Sequence, residues 1–316
     1  MQIGQHIIGS GAPVYVIAEA SANHCRDFER AAGLVIAAAK AGANAVKFQS
    51  FTADELAVDI PIVTGYDAQH DVWMRNLGVT TLHQLYALGG LPRPWHEELK
   101  HIAEDCGIHF LSTPFSVDAA KFLVEEIGVP AIKIASGDLT FTPLLEYAAS
   151  TGLPLLVSTG MATLAEVQHA VSGPLDPAYL GQRLCILHCT SSYPLRQKDA
   201  NLRAITTVAV AFPYCVIGYS DHTTDCLIIP ALAVSQGACV IEKHFMLERT
   251  LESPDAGHSL DPFAFARMVE VIRAVPQWLG DGVKQPQASE LHERLWTRRG
   301  KDGKRPTEDA RAGRWA

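Results

Sequence analysis

The chain has 316 residues, 48% of them hydrophobic and 19% charged, with a formal net charge of −8. That is apolar material for one large core or two ordinary ones, and no run approaches the ~20 apolar residues of a membrane span. The acidic balance speaks against a nucleic-acid partner, and the N-terminus lacks a signal peptide's pattern, so a cytoplasmic protein with no membrane association is expected.

Two details refine this. The seven cysteines are odd in number, form no C-x-x-C pair and mostly lie in apolar stretches, which suits a reducing compartment rather than a disulfide framework. Residues 284–316 carry nine Lys/Arg against five Asp/Glu, a net +4 that leaves −12 for the remainder. The basic excess therefore belongs to a C-terminal tail.

In chain order, short β-rich runs alternate with longer segments of helical period. The runs are "VYVIAE" (14–19), "NAVKFQ" (44–49), "IHFLST" (108–113), "AIKIAS" (131–136), "PLLVST" (154–159), "LCILHCT" (184–190), "YCVIGYS" (214–220) and "ACVIEKH" (238–244). The intervening Ala/Leu-rich segments often end in Gly, as helices do. Eight strand–helix units whose strands lack internal alternation predict an α/β chain folded as a (β/α)8 TIM barrel. A doubly wound open sheet is the rival, but "VIAEASANH" has no Gly-rich phosphate turn after the first strand. A barrel domain over 1–283 and a basic tail over 284–316 are expected. A long, turn-rich insertion at roughly 52–93, between strands 2 and 3, is expected on the catalytic face.

Barrel active sites form at the C-terminal strand ends, so those ends can be read as reagents. They offer Glu19, Asn23 and His24; Lys47 and Gln49; Ser112 and Thr113; Lys133, Ser136 and Asp138; Ser158 and Thr159; His188, Thr190 and Tyr193; Ser220, Asp221 and His222; and Glu242, Lys243 and His244. Two lysines with several hydroxyls suit a small dianion such as a phosphate ester bearing a carboxylate. His222 and His244 end adjacent strands and can jointly bind a divalent metal, with Asp221 or Glu242 orienting or supplementing them. On spacing alone, His222 is equally readable as a base or a structural residue.

The stretches "IAEASANH", "NAVKFQSF", "FLSTPFS", "IKIASGD", "VSTGM", "HCTSSYP", "GYSDHT" and "EKHF" resemble, in order, motifs of the N-acetylneuraminate (sialic acid) synthase family over roughly residues 14–280. That family includes pseudaminic and legionaminic acid synthases and spore-coat polysaccharide relatives. The resemblance implies a homodimeric enzyme that condenses phosphoenolpyruvate with the open-chain aldehyde of a sugar, usually an N-acetylated hexosamine, and releases phosphate. It also implies a divalent cofactor, Mn²⁺ ahead of Mg²⁺ or Co²⁺, held by His222 and His244. Lys47, Thr113, Lys133, Ser136, Ser158 and Ser220 resemble the phosphoenolpyruvate-binding positions, and Gln49, Tyr193 and Asp255 the sugar side. Glu19, Asp138 and His222 are the candidate catalytic groups.

The resemblance also implies a small C-terminal antifreeze-like domain that supplies an Arg to the sugar. Here the expectation is that a charged tail stands in its place, with Arg294, Arg298 or Arg299 as candidates for that contact. The acceptor Asn is not identifiable within "YDAQHDVWMRN", so the acceptor sugar stays open. Two other readings are a barrel aldolase or lyase using Lys47 or Lys133 as a Schiff-base amine, and a family member altered toward a different sugar.

Overall fold

In the computed structural model, which describes residues 1–61, 76, 78–176 and 183–314, the eight runs become eight strands. They are β1 (Tyr15–Glu19), β2 (Ala45–Ser50), β3 (His109–Pro114), β4 (Ile132–Ile134), β5 (Leu155–Ser158), β6 (Leu184–Cys189), β7 (Val216–Asp221) and β8 (Val240–His244). Parallel ladders join them in the order 3-2-1-8-7-6-5-4, and β3 packs beside β4 to bring the ring close to closure. Every residue of β1, β6 and β8 is buried. One strand face fills the barrel while the other lies beneath helices, which is why these runs show no hydrophobic alternation.

Alternation reappears as two separate cores. Tyr15, Ile17, Leu111, Leu156, Leu187 and Val240 pack inside the barrel, whereas Val16, Val46, Phe48, Ile186 and Ile241 face the helical layer. That layer begins with α1 (Phe28–Lys40), whose N-terminus is capped by the Asp27 carboxylate accepting from Arg30 N and whose Ala31, Leu34, Val35 and Ala38 are buried at helical spacing. A short hairpin pairing Gln2–Ile3 with His6–Ile7 adds Ile3 and Ile8 to the inner core.

The inner core is tight at Gly218, where a Cβ would stand 2.8 Å from the Val240 carbonyl oxygen and also meet Leu187. Gly218→Ala is therefore expected to destabilise the barrel by about 1–3 kcal/mol, the usual cost of overpacking. Urea denaturation at constant m-value would measure it, and an unchanged midpoint would contradict the packing argument.

Between β2 and β3, where an insertion is expected over 52–93, the described residues include the short helix Ala53–Leu56, started by a reciprocal Thr52/Glu55 capping box, and the helix Leu82–Gly89. Most of "YDAQHDVWMRN" lies outside the described residues. The chain divides into two compact units, residues 1–276 and 277–316. The second contains the helices Leu291–Thr297 and Glu308–Arg311, with Arg311 paired to Asp302 at 2.6 Å; Arg294, Arg298 and Arg299 belong to this unit. All seven cysteines are free thiols. Among the described residues, no helix is long and apolar enough to cross a membrane.

Candidate active site

Strand parity decides which polar strand ends enter the barrel mouth. Glu19, Lys47, Gln49, Thr113, Lys133, Ser158, Ser220, Glu242 and His244 continue the inner-core positions, two or four residues on from an inward apolar side chain. Ser112, His188, Asp221 and Lys243 fall on the alternate face. The inward set contains all the lysines and hydroxyls on these eight strands that the resemblance assigns to phosphoenolpyruvate.

The inward groups form one buried charge network. Lys47 Nζ pairs with Glu19 Oε2 and lies 3.7 Å from Glu242 Oε2, and Lys133 Nζ lies 3.9 Å from Glu242 Oε1. Hydroxyls and an amide complete it: Lys47 donates to Thr113 Oγ1 at 2.9 Å, Lys133 to Ser158 Oγ at 2.7 Å, Ser220 to Glu242 Oε1 at 3.0 Å, and Gln49 to Glu19 Oε1 at 3.1 Å. Burial opposes the charged form of Lys47, but Glu19 and Glu242 outweigh it and hold the ammonium above its ordinary value. Lys133 has less carboxylate support, and burial leaves it below its ordinary value. Burial pushes Glu19 up to about 7 despite Lys47, whereas the two lysines outweigh burial at Glu242 and hold it low. Two carboxylates in one network are thus set apart by their cation partners.

Beside this network, Ser136 Oγ accepts from Gly160 N at 2.9 Å. A Cβ at Gly160 would come 2.9 Å from that same oxygen, so the close approach requires glycine. Asp138 ends the short turn Ser136–Asp138. Burial pushes its carboxyl up to about 6 against the pull of Lys133, and its Oδ2 has no hydrogen-bond partner.

An imidazole cluster stands at the same mouth. The His222 and His244 ring centres are 5.5 Å apart, and His258 stands 4.3 Å from His244 and 6.2 Å from His222. Tyr193 packs against the group, 4.2 Å from the His222 ring and 5.1 Å from that of His258. His222 Nδ1 donates to the Thr190 carbonyl at 2.9 Å, which leaves Nε2 as the possible ligand atom. Burial opposes protonation of His222, but Cys189 and the Thr190 carbonyl favour it and the ring titrates above its ordinary value. His244 is held neutral by burial and by the neighbouring imidazoles and lysines, and its Nδ1 has no hydrogen-bond partner. Buried, uncharged imidazole nitrogen without a partner suits a divalent ion, so the residues present fit one.

Asp255 belongs to the loop after β8, where its Oδ2 accepts from Ala22 N at 3.2 Å. Asn23 fastens that loop, donating to Phe245 O at 2.8 Å and Ser259 Oγ at 2.9 Å. Asn23 and His24 are thus engaged in holding loops, with His24 donating to Gly89 O at 3.2 Å. His188 donates to Ala200 O at 3.0 Å. The expectation that Asp221 orients His222 meets a different arrangement. Its carboxylate is taken by Lys243 Nζ at 2.7 Å, Thr223 N at 2.9 Å and Thr223 Oγ1 at 3.1 Å, on the helical side of β7.

One group of the cluster, His258, is absent from the sequence expectations, because it carries no local signal and enters only where the loop folds back. Glu242, expected to orient or supplement the metal pair, lies between Lys47 and Lys133. Beyond the end of β2, a cavity of about 370 Å³ is lined by Arg26, Phe51, Asp54, His83, Tyr86 and Arg93 among others.

Residues 34–284 match the model of the NeuB family. The chain is 42% identical over 294 residues to N,N'-diacetyllegionaminic acid synthase of Legionella pneumophila, covering 92% of this chain and 80% of that one. It is 34% identical over 284 residues to human N-acetylneuraminate-9-phosphate synthase, covering 88% and 74%. Its fold superposes on the sialic acid synthetase of Leptospira borgpetersenii, crystallised with citrate, with a TM-score of 0.79, 35% identity and coverage of 93% and 94%. A matching fold, together with sequence similarity across most of each chain, places this protein in the NeuB family.

Proposed function

We propose that this enzyme condenses phosphoenolpyruvate with the open-chain aldehyde of a sugar, giving a sialic-acid-like 2-keto-3-deoxy sugar acid and phosphate. The observation that carries the reading is the convergence of Lys47, Lys133, Thr113, Ser158 and Ser220 beside the imidazoles of His222 and His244. Two ammonium groups with oriented hydroxyls suit a substrate bearing both phosphate and carboxylate. The sequence similarity to legionaminic and sialic acid synthases supports the same class of product.

In this reading the lysines and hydroxyls bind phosphoenolpyruvate and fix its enol carbon, C3, for attack on the aldehyde carbon. The new carbon–carbon bond leaves cationic character at C2, water adds there, and the C2–O bond to phosphate then breaks. Glu19 and Asp138, both pushed upward by burial, are the groups suited to exchange a proton with the attacking water or the new hydroxyl near neutral pH. Glu242, held anionic between two lysines, suits stabilisation of the developing positive charge. His222 and His244 would hold a divalent ion, Mn²⁺ first, which supplies Lewis-acid polarisation of the aldehyde oxygen. Gln49, Tyr193 and Asp255 form the acceptor side, and the cavity lined by Arg26 and Arg93 suits the distal part of the sugar.

The test is phosphate release from phosphoenolpyruvate across a panel of aldoses and N-acetylated hexosamines, with and without Mn²⁺. Release that depends on both aldose and metal is expected; none with any aldose would reject the reading. The aldolase alternative rests on Lys133, whose amine is biased toward the neutral form. Borohydride trapping with a keto acid separates the two, because the condensing enzyme gives no covalent adduct.

A further inference from the structure

We infer that the divalent ion is held by more of this chain than His222 and His244, with His258 as a further imidazole ligand and the Asp255 carboxylate as the adjoining anionic one. The inference rests on the metal reading above. One ligand atom from each of His244, Asp255 and His258 lies within 4.8 Å of the others. Two ligands at ordinary bond lengths of about 2.0–2.2 Å can span roughly 4.3 Å across one ion, so only a small adjustment separates this set from a chelate.

A second observation points the same way. His244 and His258 are almost fully buried, at 7% and 3% exposure, yet His244 Nδ1 and His258 Nε2 have no hydrogen-bond partner. Leaving two buried imidazole nitrogens unsatisfied costs about 1–3 kcal/mol each, unless something else occupies them. His258 Nε2 also stands 3.6 Å from Asp255 Oδ1, beyond hydrogen-bonding distance. That gap suits two ligands flanking a cation better than a direct pair. The loop is braced for the purpose: Ser259 Oγ donates to Asp255 O at 2.7 Å, while Asn23 bridges Ser259 and the end of β8. Imidazoles with one carboxylate favour Mn²⁺, Fe²⁺ or Co²⁺ over Mg²⁺, which prefers all-oxygen sites.

The experiment uses the full chain with MnCl₂ alone, following free Mn²⁺ by electron paramagnetic resonance and counting bound nitrogens by electron spin echo modulation. Wild type should show three imidazole nitrogens. His258→Ala should show two and bind Mn²⁺ at least roughly tenfold more weakly, and His258→Asp should recover part of the loss. Two nitrogens in wild type would overturn the inference even if His258→Ala fails to fold. Equal affinity and nitrogen count in wild type and His258→Ala would overturn it while leaving the two-histidine reading intact. Wild type that holds no Mn²⁺ would defeat both.

Discussion

His222→Ala and His244→Ala should each abolish measurable turnover while leaving the barrel folded. Both rings stand at the mouth beside the buried Glu242–lysine network, and neither closes a strand ladder through its side chain. In the proposed reading a Lewis acid at the aldehyde would contribute several kcal/mol of charge stabilisation, equivalent to roughly 10²–10⁴-fold in rate. Phosphate release, metal content after gel filtration and far-ultraviolet circular dichroism together test this. Full activity in a metal-free His222→Ala preparation would remove the metal assignment. Lost activity with lost secondary structure would instead assign the ring a structural role.

Lys47→Met should produce the largest stability change, with a distinctive pH dependence. Lys47 is 3% exposed and lies between Glu19 and Glu242. Removing one member of such a buried set typically costs about 3–5 kcal/mol, because the remaining charges lose their partner. Glu19 already titrates near 7, above its ordinary value of 4.5. A carboxyl raised in the folded state makes that state bind more protons, so its contribution to stability falls as pH rises from the unfolded value through the folded one. Loss of the ammonium raises Glu19 further and widens that window. The deficit of Lys47→Met should therefore level off below about pH 7, where Glu19 is protonated in both folded proteins, and grow from there toward about pH 9, by about 1.4 kcal/mol per pH unit for each additional proton the variant retains. Urea unfolding of both proteins across this range measures it. A deficit independent of pH would show that the lysine stem, rather than its charge, matters.

Much of the site was legible because the barrel turns chain order into spatial order. Eight apolar runs followed by polar residues imply eight strand ends at one face, and Glu19, Lys47, Thr113, Lys133, Ser158, Ser220 and His244 all point there. The strand boundaries also fall close to the expected ones: "VYVIAE" becomes Tyr15–Glu19 and "ACVIEKH" becomes Val240–His244. Less is legible within each strand end. Strands buried on both faces show no alternation, so nothing distinguished inward Glu242 from outward Lys243, or inward Ser220 from outward Asp221. Asp221 adjoins His222 in the chain, but Lys243 and Thr223 occupy its carboxylate.

The amino-acid sequence by itself determined the barrel, the family and the types of reagent at its mouth, because strand-length apolar runs and short ordered motifs are local properties. Only the tertiary structure decided which side chains meet. Register sets Glu242 opposite Ser220 and His244 opposite Glu19, so the carboxylates fall among the lysines and acquire different affinities for protons. Loop closure brings His258, 14 positions beyond His244 in the chain, to within 4.3 Å of its ring. Contacts of that kind depend on how a loop packs across the barrel mouth, and no local periodicity records them.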